Sequence, residues 1–268
     1  EDDIAKTFEN SLSLLQDSTN NTKENVKVNI ITGKGSTKED TDGVVGYDYS
    51  TVGVLALREV ERTYKNTFGY SLGYLHTGFE FNDENSSEEW VDTIQLGVHN
   101  KYDTNGWSLR NDLTGRVSMH NVDRNIDWTA PNGRSEMNGS YETYSITSDN
   151  ILGREFALGE NTSITPYGAF RVMYVTRPSF EENGLERVQV EGNDAWSVKP
   201  RAGIELKAAL PLGPRTAWKL KGALDFAYEY ELADLNKREK ARLIAVEDRY
   251  HDLSKPEDEK GTFRTRTV

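Results

Sequence analysis

The chain of 268 residues contains no cysteine, which excludes disulfides, thiolate nucleophiles and thiolate metal sites. It contains no apolar run approaching the roughly 20 residues that a membrane-spanning helix needs. Its four histidines, His76, His99, His120 and His251, show no metal-ligand spacing, and no glycine-rich phosphate loop precedes a helix, so neither metal nor cofactor is expected. Basic residues are in deficit. With 32 Lys plus Arg against 44 Asp plus Glu the net charge is −12, which argues against nonspecific nucleic-acid binding. Glu1-Asp2-Asp3 is not the basic start of a signal peptide, so a mature fragment or an excised domain is expected.

What is present is a rhythm of strand-like runs joined alternately by short and by long, charged connections. The short joins fall near Glu61–Asn66, Asp103–Gly106, Ala157–Asn161 and Leu210–Arg215. The long ones fall near Lys38–Asp42, Asn82–Glu88, Asn121–Gly139, Arg177–Gly192 and Ala233–Lys260. Parity puts the two sets on opposite rims of one sheet. Asn105-Gly106 is a tight-hairpin signal, and Leu212-Gly213-Pro214 is another turn cluster. Tight turns on one side and long loops on the other describe an antiparallel barrel of the outer-membrane type.

The strand faces agree. In Trp218–Leu232 one face reads Trp218, Leu220, Gly222, Leu224, Phe226, Tyr228, Tyr230 and Leu232, and the other carries Lys219, Lys221, Asp225, Glu229 and Glu231. Trp196–Ala208 repeats the dyad, with Lys199, Arg201, Glu205 and Lys207 opposite Trp196, Val198, Ile204 and Leu206. In Trp107–His120 the polar face holds Arg110, Asp112, Arg116, Ser118 and His120. Trp90–Tyr102 and Phe68–Glu80 alternate as well, the latter with small inward residues, whereas alternation is blurred in Gly46–Val60 and weak in Tyr141–Phe156. A period of two separates lipid from a wet interior when the apolar side faces outward. Trp90, Trp107, Trp196 and Trp218 open apolar faces at strand ends, where indole rings sit at headgroup level.

Ahead of the first strand, Ile4, Phe8, Leu12 and Leu15 recur at helical spacing, and residues 3–17 are expected to be helical. Such a helix can fill a barrel interior. With these pieces in order the chain resembles the translocator β-domain of the autotransporters, the type V secretion systems of Gram-negative bacteria. Gly46-Tyr47-Asp48-Tyr49-Ser50-Thr51-Val52-Gly53 is similar to the family's second strand, and Phe68–His76 to its glycine-rich third. Pro166–Tyr174 with Phe180-Glu181-Glu182-Asn183-Gly184 resembles its seventh strand and exit loop.

The resemblance implies an all-β transmembrane barrel of about twelve strands with a helix in its pore. It also implies an outer-membrane location, contact with outer-membrane lipid, dependence on the barrel assembly machinery, and an N-terminal passenger, an adhesin or virulence factor, carried to the cell surface. About ten strands are visible, and the chain stops at Thr267-Val268 without a terminal aromatic, so a final hairpin is expected to be missing. The division is then a pore-plugging linker helix at 1–21 and a barrel at 22–268. Arg110, Asp112, Arg116, Lys199, Arg201 and Glu205 are assigned to the polar lumen, with the basic ones expected to hold the acidic helix near Asp2, Asp3 and Glu9. Asn20-Asn21 invites comparison with linkers that cleave themselves, but its place at the helix end reads as a cap. Ser118 and His120 share a strand face without an orienting third group, so no catalysis is expected. The competing readings are a porin or solute channel, and a soluble β-barrel that binds an apolar ligand.

Overall fold

The computed structural model describes residues 2–17, 24–37, 45–63, 65–83, 85–127, 133–211, 219–233, 240–244, 250–252 and 261–267. One helix, α1 (Asp2–Asp17), precedes ten long strands: β1 (Glu24–Thr37), β2 (Tyr47–Thr63), β3 (Asn66–Phe81), β4 (Glu88–Thr104), β5 (Trp107–Asp127), β6 (Arg134–Arg154), β7 (Thr162–Arg177), β8 (Asn193–Pro211), β9 (Lys219–Tyr230) and β10 (Gly261–Thr267). Each pairs antiparallel with its chain neighbours in one sheet, whose end strands β1 and β10 are not paired with each other among the described residues. The Asn-Gly turn is as tight as expected: Thr104 pairs with Trp107, and Asn105 and Gly106 both take positive φ, at 49° and 79°.

The sheet is inverted relative to a soluble protein. On β4, Leu96 is 62% exposed while its neighbour Gln95 is 1% exposed. Val28, Ile30, Leu72, Ile146, Trp196 and Phe226 also point outward, whereas Thr93, Ser118, Thr147, Ser197 and Arg201 are buried inside. Trp90, Trp107 and Trp196 lie on the outer face at strand ends, and Trp218 lies outside the described residues. Among the described residues no helix is long and apolar enough to cross a membrane, so spanning falls to the strands.

Three of the expected joins are shorter or more structured than the sequence suggested. The join at Asn121–Gly139 shrinks because β5 and β6 stay paired out to Asp127 and Arg134. The joins at Arg177–Gly192 and Ala233–Lys260 contain short strands, Phe180–Glu181, Val188–Val190, Lys240–Leu243 and His251–Asp252, which form a second sheet at the long-loop rim. The first of these loops lies on the inner side of the β5–β6 extension. Glu182 is buried there and takes two hydrogen bonds from Arg124, at 3.0 and 2.7 Å, while Phe180 stacks on Tyr141 at 4.4 Å.

Candidate functional site

The apolar stripe of α1 needs an apolar partner, and the blurred strand supplies it. Ile4, Phe8, Leu12 and Leu15 pack on Ile31 of β1, Leu55 and Leu57 of β2, Leu75 of β3 and Val91 of β4. Outward Val52 and Val54 alternate with inward Leu55 and Leu57, so this part of β2 is greasy on both faces. That local exception to a polar interior is the socket for the helix. Phe8 enters where β3 has no side chain: a Cβ on Gly73 would stand 2.5 Å from its ring.

The opposite side of α1 carries Glu9, held from three strands. Arg201 of β8 donates to one carboxylate oxygen at 2.7 Å, Arg171 of β7 to the other at 2.8 Å, and Arg264 of β10 lies at 3.4 Å. Arg201 also meets Asp149 at 3.3 Å, and Arg264 meets Glu229 at 3.1 Å. Three arginines and three carboxylates thus form a neutral cluster, which is how charge survives burial.

Both ends of α1 are tied. Tyr47 donates to Asp3 at 3.0 Å. At the other end Lys27 donates to the Leu15 carbonyl at 2.8 Å and to Glu59 at 2.6 Å, a cation on a helix C-terminus. Arg110 donates to Gln16 at 3.0 Å, and Gln16 donates to Asp112 at 2.9 Å. A single helix about 10 Å across that touches β1, β2, β3, β4, β5, β7, β8 and β10 must be wrapped by the sheet. It also has a direction. Tyr47 begins β2 at the long-loop rim, whereas Lys27, Glu59 and Arg110 lie near the short-turn rim, so α1 runs from the long loops toward the short turns.

Between α1 and β5–β10 remains a cavity of about 840 Å³, lined by Lys6, Ser13, Arg110, Glu205, Lys207 and Asp225 among others and reaching Asn105-Gly106 at the short-turn rim. Of the residues picked from sequence, Arg110, Asp112 and Arg201 come to the helix. Arg116 serves the wall instead, donating to Gln95, Ser145 and Thr147. Lys199 lies 3.8 Å from Glu231, and Glu205 pairs with Lys207 at 2.8 Å beside the cavity. Asn20 and Asn21 lie outside the described residues, and nothing is described of the Asp2 side chain. Arg171, Arg264 and Asp149 carry no local signal for this role. Gly73 belongs to the small inward face of Phe68–Glu80 and Arg171 to Pro166–Tyr174, and only three-dimensional pairing gives them these partners.

Two histidines make triad-like chains. His99 joins Ser71 and Asp112, each at 2.8 Å; His120 joins Thr143 at 2.8 Å and Glu89 at 2.6 Å. Ser118 instead bonds Thr93 at 2.9 Å. Ser71 and His99 are buried, and the backbone around them is paired in the ladders that join β3, β4 and β5. The same hydroxyl–imidazole–carboxylate pattern, used twice on adjacent strands, ties strand to strand.

An antiparallel sheet with its apolar face outward, its polar face inward and a helix inside defines a protein of the outer-membrane β-barrel class. Residues 26–267 match the family model described as "Autotransporter beta-domain", and the chain belongs to that family. Among solved structures it is similar to the translocator domain of autotransporter NalP from Neisseria meningitidis, with 18% identity and a TM-score of 0.68 over 89% of this chain and 84% of that one. It is also similar to the β-domain of the Bordetella autotransporter BrkA, with 14% identity and a TM-score of 0.48 over 91% and 94%. No curated protein matches the chain in sequence. The chain is thus an outer-membrane translocator and anchor of a Gram-negative bacterium, with a covalently linked passenger at the cell surface.

Proposed function

We propose that α1 is the tail of the exported segment, held in the barrel as a plug once translocation ends. The observation that carries this reading is Glu9, gripped by arginines from three strands while Phe8 is seated on the opposite wall. The direction of α1 supports it: its N-terminal end lies toward the long-loop rim, where a surface passenger belongs. A plugged interior also weighs against an open solute channel. The outward apolar face gives the chain no stable soluble form, which favours insertion by the barrel assembly machinery. The domain itself catalyses no reaction in this reading, because its buried histidines serve as cross-strand ties.

The test is conductance of the full chain in planar bilayers. The unmodified protein is expected to be nearly closed, and Arg110→Gln with Arg201→Gln to open it by loosening α1 at its C-terminal end and at its middle. Equal conductance of the two, with both shown to be folded by heat-modifiable gel mobility, overturns the plug.

A further inference from the structure

One rung of the outer face breaks the apolar rule well inside the belt. Asn100 of β4, Asn111 of β5 and Asn150 of β6 lie side by side in register, half-buried, with the outward parity of Leu96, Val98, Leu113 and Ile146. Phe68 flanks the row on one side and Phe170 on the other. Toward the short turns the next rung is Tyr102, Leu109 and Leu152; toward the long loops it is Val98, Leu113 and Ser148. The amides therefore form an island in an apolar surface. Asn111 stands four residues from Trp107, which on a tilted strand is about 10 Å deeper in the membrane.

Amides that face hydrocarbon are costly unless they are bonded. Within the chain the bonding is partial: Asn111 donates to Oδ1 of Asn150 at 2.6 Å, and Asn150 donates to Ser148 at 3.2 Å. Among the described residues nothing bonds the side chain of Asn100, and no donor reaches Oδ1 of Asn111. What covers the island must carry donors and acceptors at this depth. Acyl chains carry neither, and headgroups and outside water stop at the level of Trp107. A second copy of the chain carries both at the same height. Two barrels inserted the same way are related by an axis along the membrane normal, which keeps every rung level with its own image. Such an axis through Asn111 reverses the row, so Asn111 meets Asn111 and Asn100 meets Asn150. An amide is donor and acceptor at once, which makes the row its own complement.

We propose that two copies of this chain pair in the membrane through the outer faces of β4–β6, about this two-fold axis, joined by Asn100, Asn111 and Asn150. Side-chain amides act as such glue between membrane-spanning segments. The surface lies on the other face of the sheet from α1, so pairing is independent of the plug.

Energy transfer between copies of the full chain in lipid bilayers tests it, with donor and acceptor dyes on Glu160→Cys in a short turn. Transfer should rise with protein density above the level that randomly placed barrels give. Asn100→Leu, Asn111→Leu and Asn150→Leu combined should weaken pairing about tenfold or more, through the bonds lost across the interface. Ile30→Leu with Val54→Leu, on the outer face of β1 and β2, should change nothing. Heat-modifiable gel mobility shows that each variant is folded, as expected when lipid-facing amides become apolar. A bis-maleimide reagent should join copies that carry Leu109→Cys and leave copies that carry Ile30→Cys apart. Transfer no greater than random at every density, transfer undiminished in the triple variant, or cross-linking at position 30 as ready as at position 109 would overturn the proposal.

Discussion

Phe8 of the helix and Gly73 of the third strand meet so closely that no side chain fits between them: a Cβ on Gly73 would stand 2.5 Å from one ring carbon of Phe8 and 2.9 Å from Leu55. A notch in the wall and a ring on the helix are therefore one fitting. Gly73→Val should displace α1 at a cost of about 1–3 kcal/mol, the range for overpacking a filled core. Adding Phe8→Ala should restore docking in part, measured as protection of the N-terminal segment from protease. Identical protection in all forms would show that the helix does not depend on the notch.

Glu9 answers a different question. Glu9→Ala removes one carboxylate from a neutral cluster and leaves three arginines, Arg171, Arg201 and Arg264, with the two carboxylates of Asp149 and Glu229. Breaking a buried pair from one side typically costs about 3–5 kcal/mol. Bilayer conductance should rise in this variant and fall again on adding formate, a carboxylate small enough for the vacated place.

Much of this architecture is legible in the chain. The dyads in Trp196–Ala208 and Trp107–His120 give the strands and their faces, and Asn105-Gly106 gives a turn, because period two and positive φ are local properties. The helix is equally local, from Ile4, Phe8, Leu12 and Leu15. The blurring in Gly46–Val60 was legible only as noise, yet Leu55 and Leu57 blur it because the socket for α1 is there. In Tyr141–Phe156 the pattern fades for the opposite reason: Thr143, Ser145 and Thr147 line the inside while Ser148 and Asn150 dilute the outer face. The Glu9 cluster is only half legible. Arg201 lies on a clean polar strand face, but Arg171 and Arg264 stand 162 and 255 residues from Glu9 in sequence, and no spacing rule reaches that far. The β5–β6 extension looks like loop in the sequence because beyond the membrane alternation no longer separates lipid from water.

That extension carries a further expectation. Arg124 holds Glu182 from the loop that follows β7, and Arg124 also donates to the Glu186 carbonyl at 2.9 Å. Arg124→Ala should free this loop without disturbing the membrane strands. Hydrogen exchange at Asn183 and Val188, whose N–H groups are now bonded to Asn138 and to Glu182, should speed up while that of β4 stays protected.

The histidine ties predict an absence of chemistry. A fluorophosphonate probe should leave Ser71 unlabelled in the folded chain, since His99 and Ser71 are buried. His99→Ala should lower the temperature of the heat-modifiable gel shift by loosening β4 from β3 and β5. Labelling of Ser71 that is lost in His99→Ala would instead reveal a catalytic site.

Lipid-face orientation sets the sign of every surface substitution. Leu96→Arg, near mid-height on the outer face, should cost about 2–4 kcal/mol in bilayer folding titrations. Thr67→Arg, near the short-turn end of β3 and away from that outer band, should cost far less.

The absence of cysteine allows the most direct test of the central claim, that the apolar face meets hydrocarbon and the polar face encloses a wet interior. A fluorophore is attached in turn to Leu96→Cys and to Lys207→Cys, and the refolded proteins are placed in vesicles of brominated lipid. Quenching of the probe at position 96, with a probe at position 207 that answers only to water-soluble quenchers, is the predicted result. Strong lipid quenching at position 207 together with aqueous quenching at position 96 would contradict it.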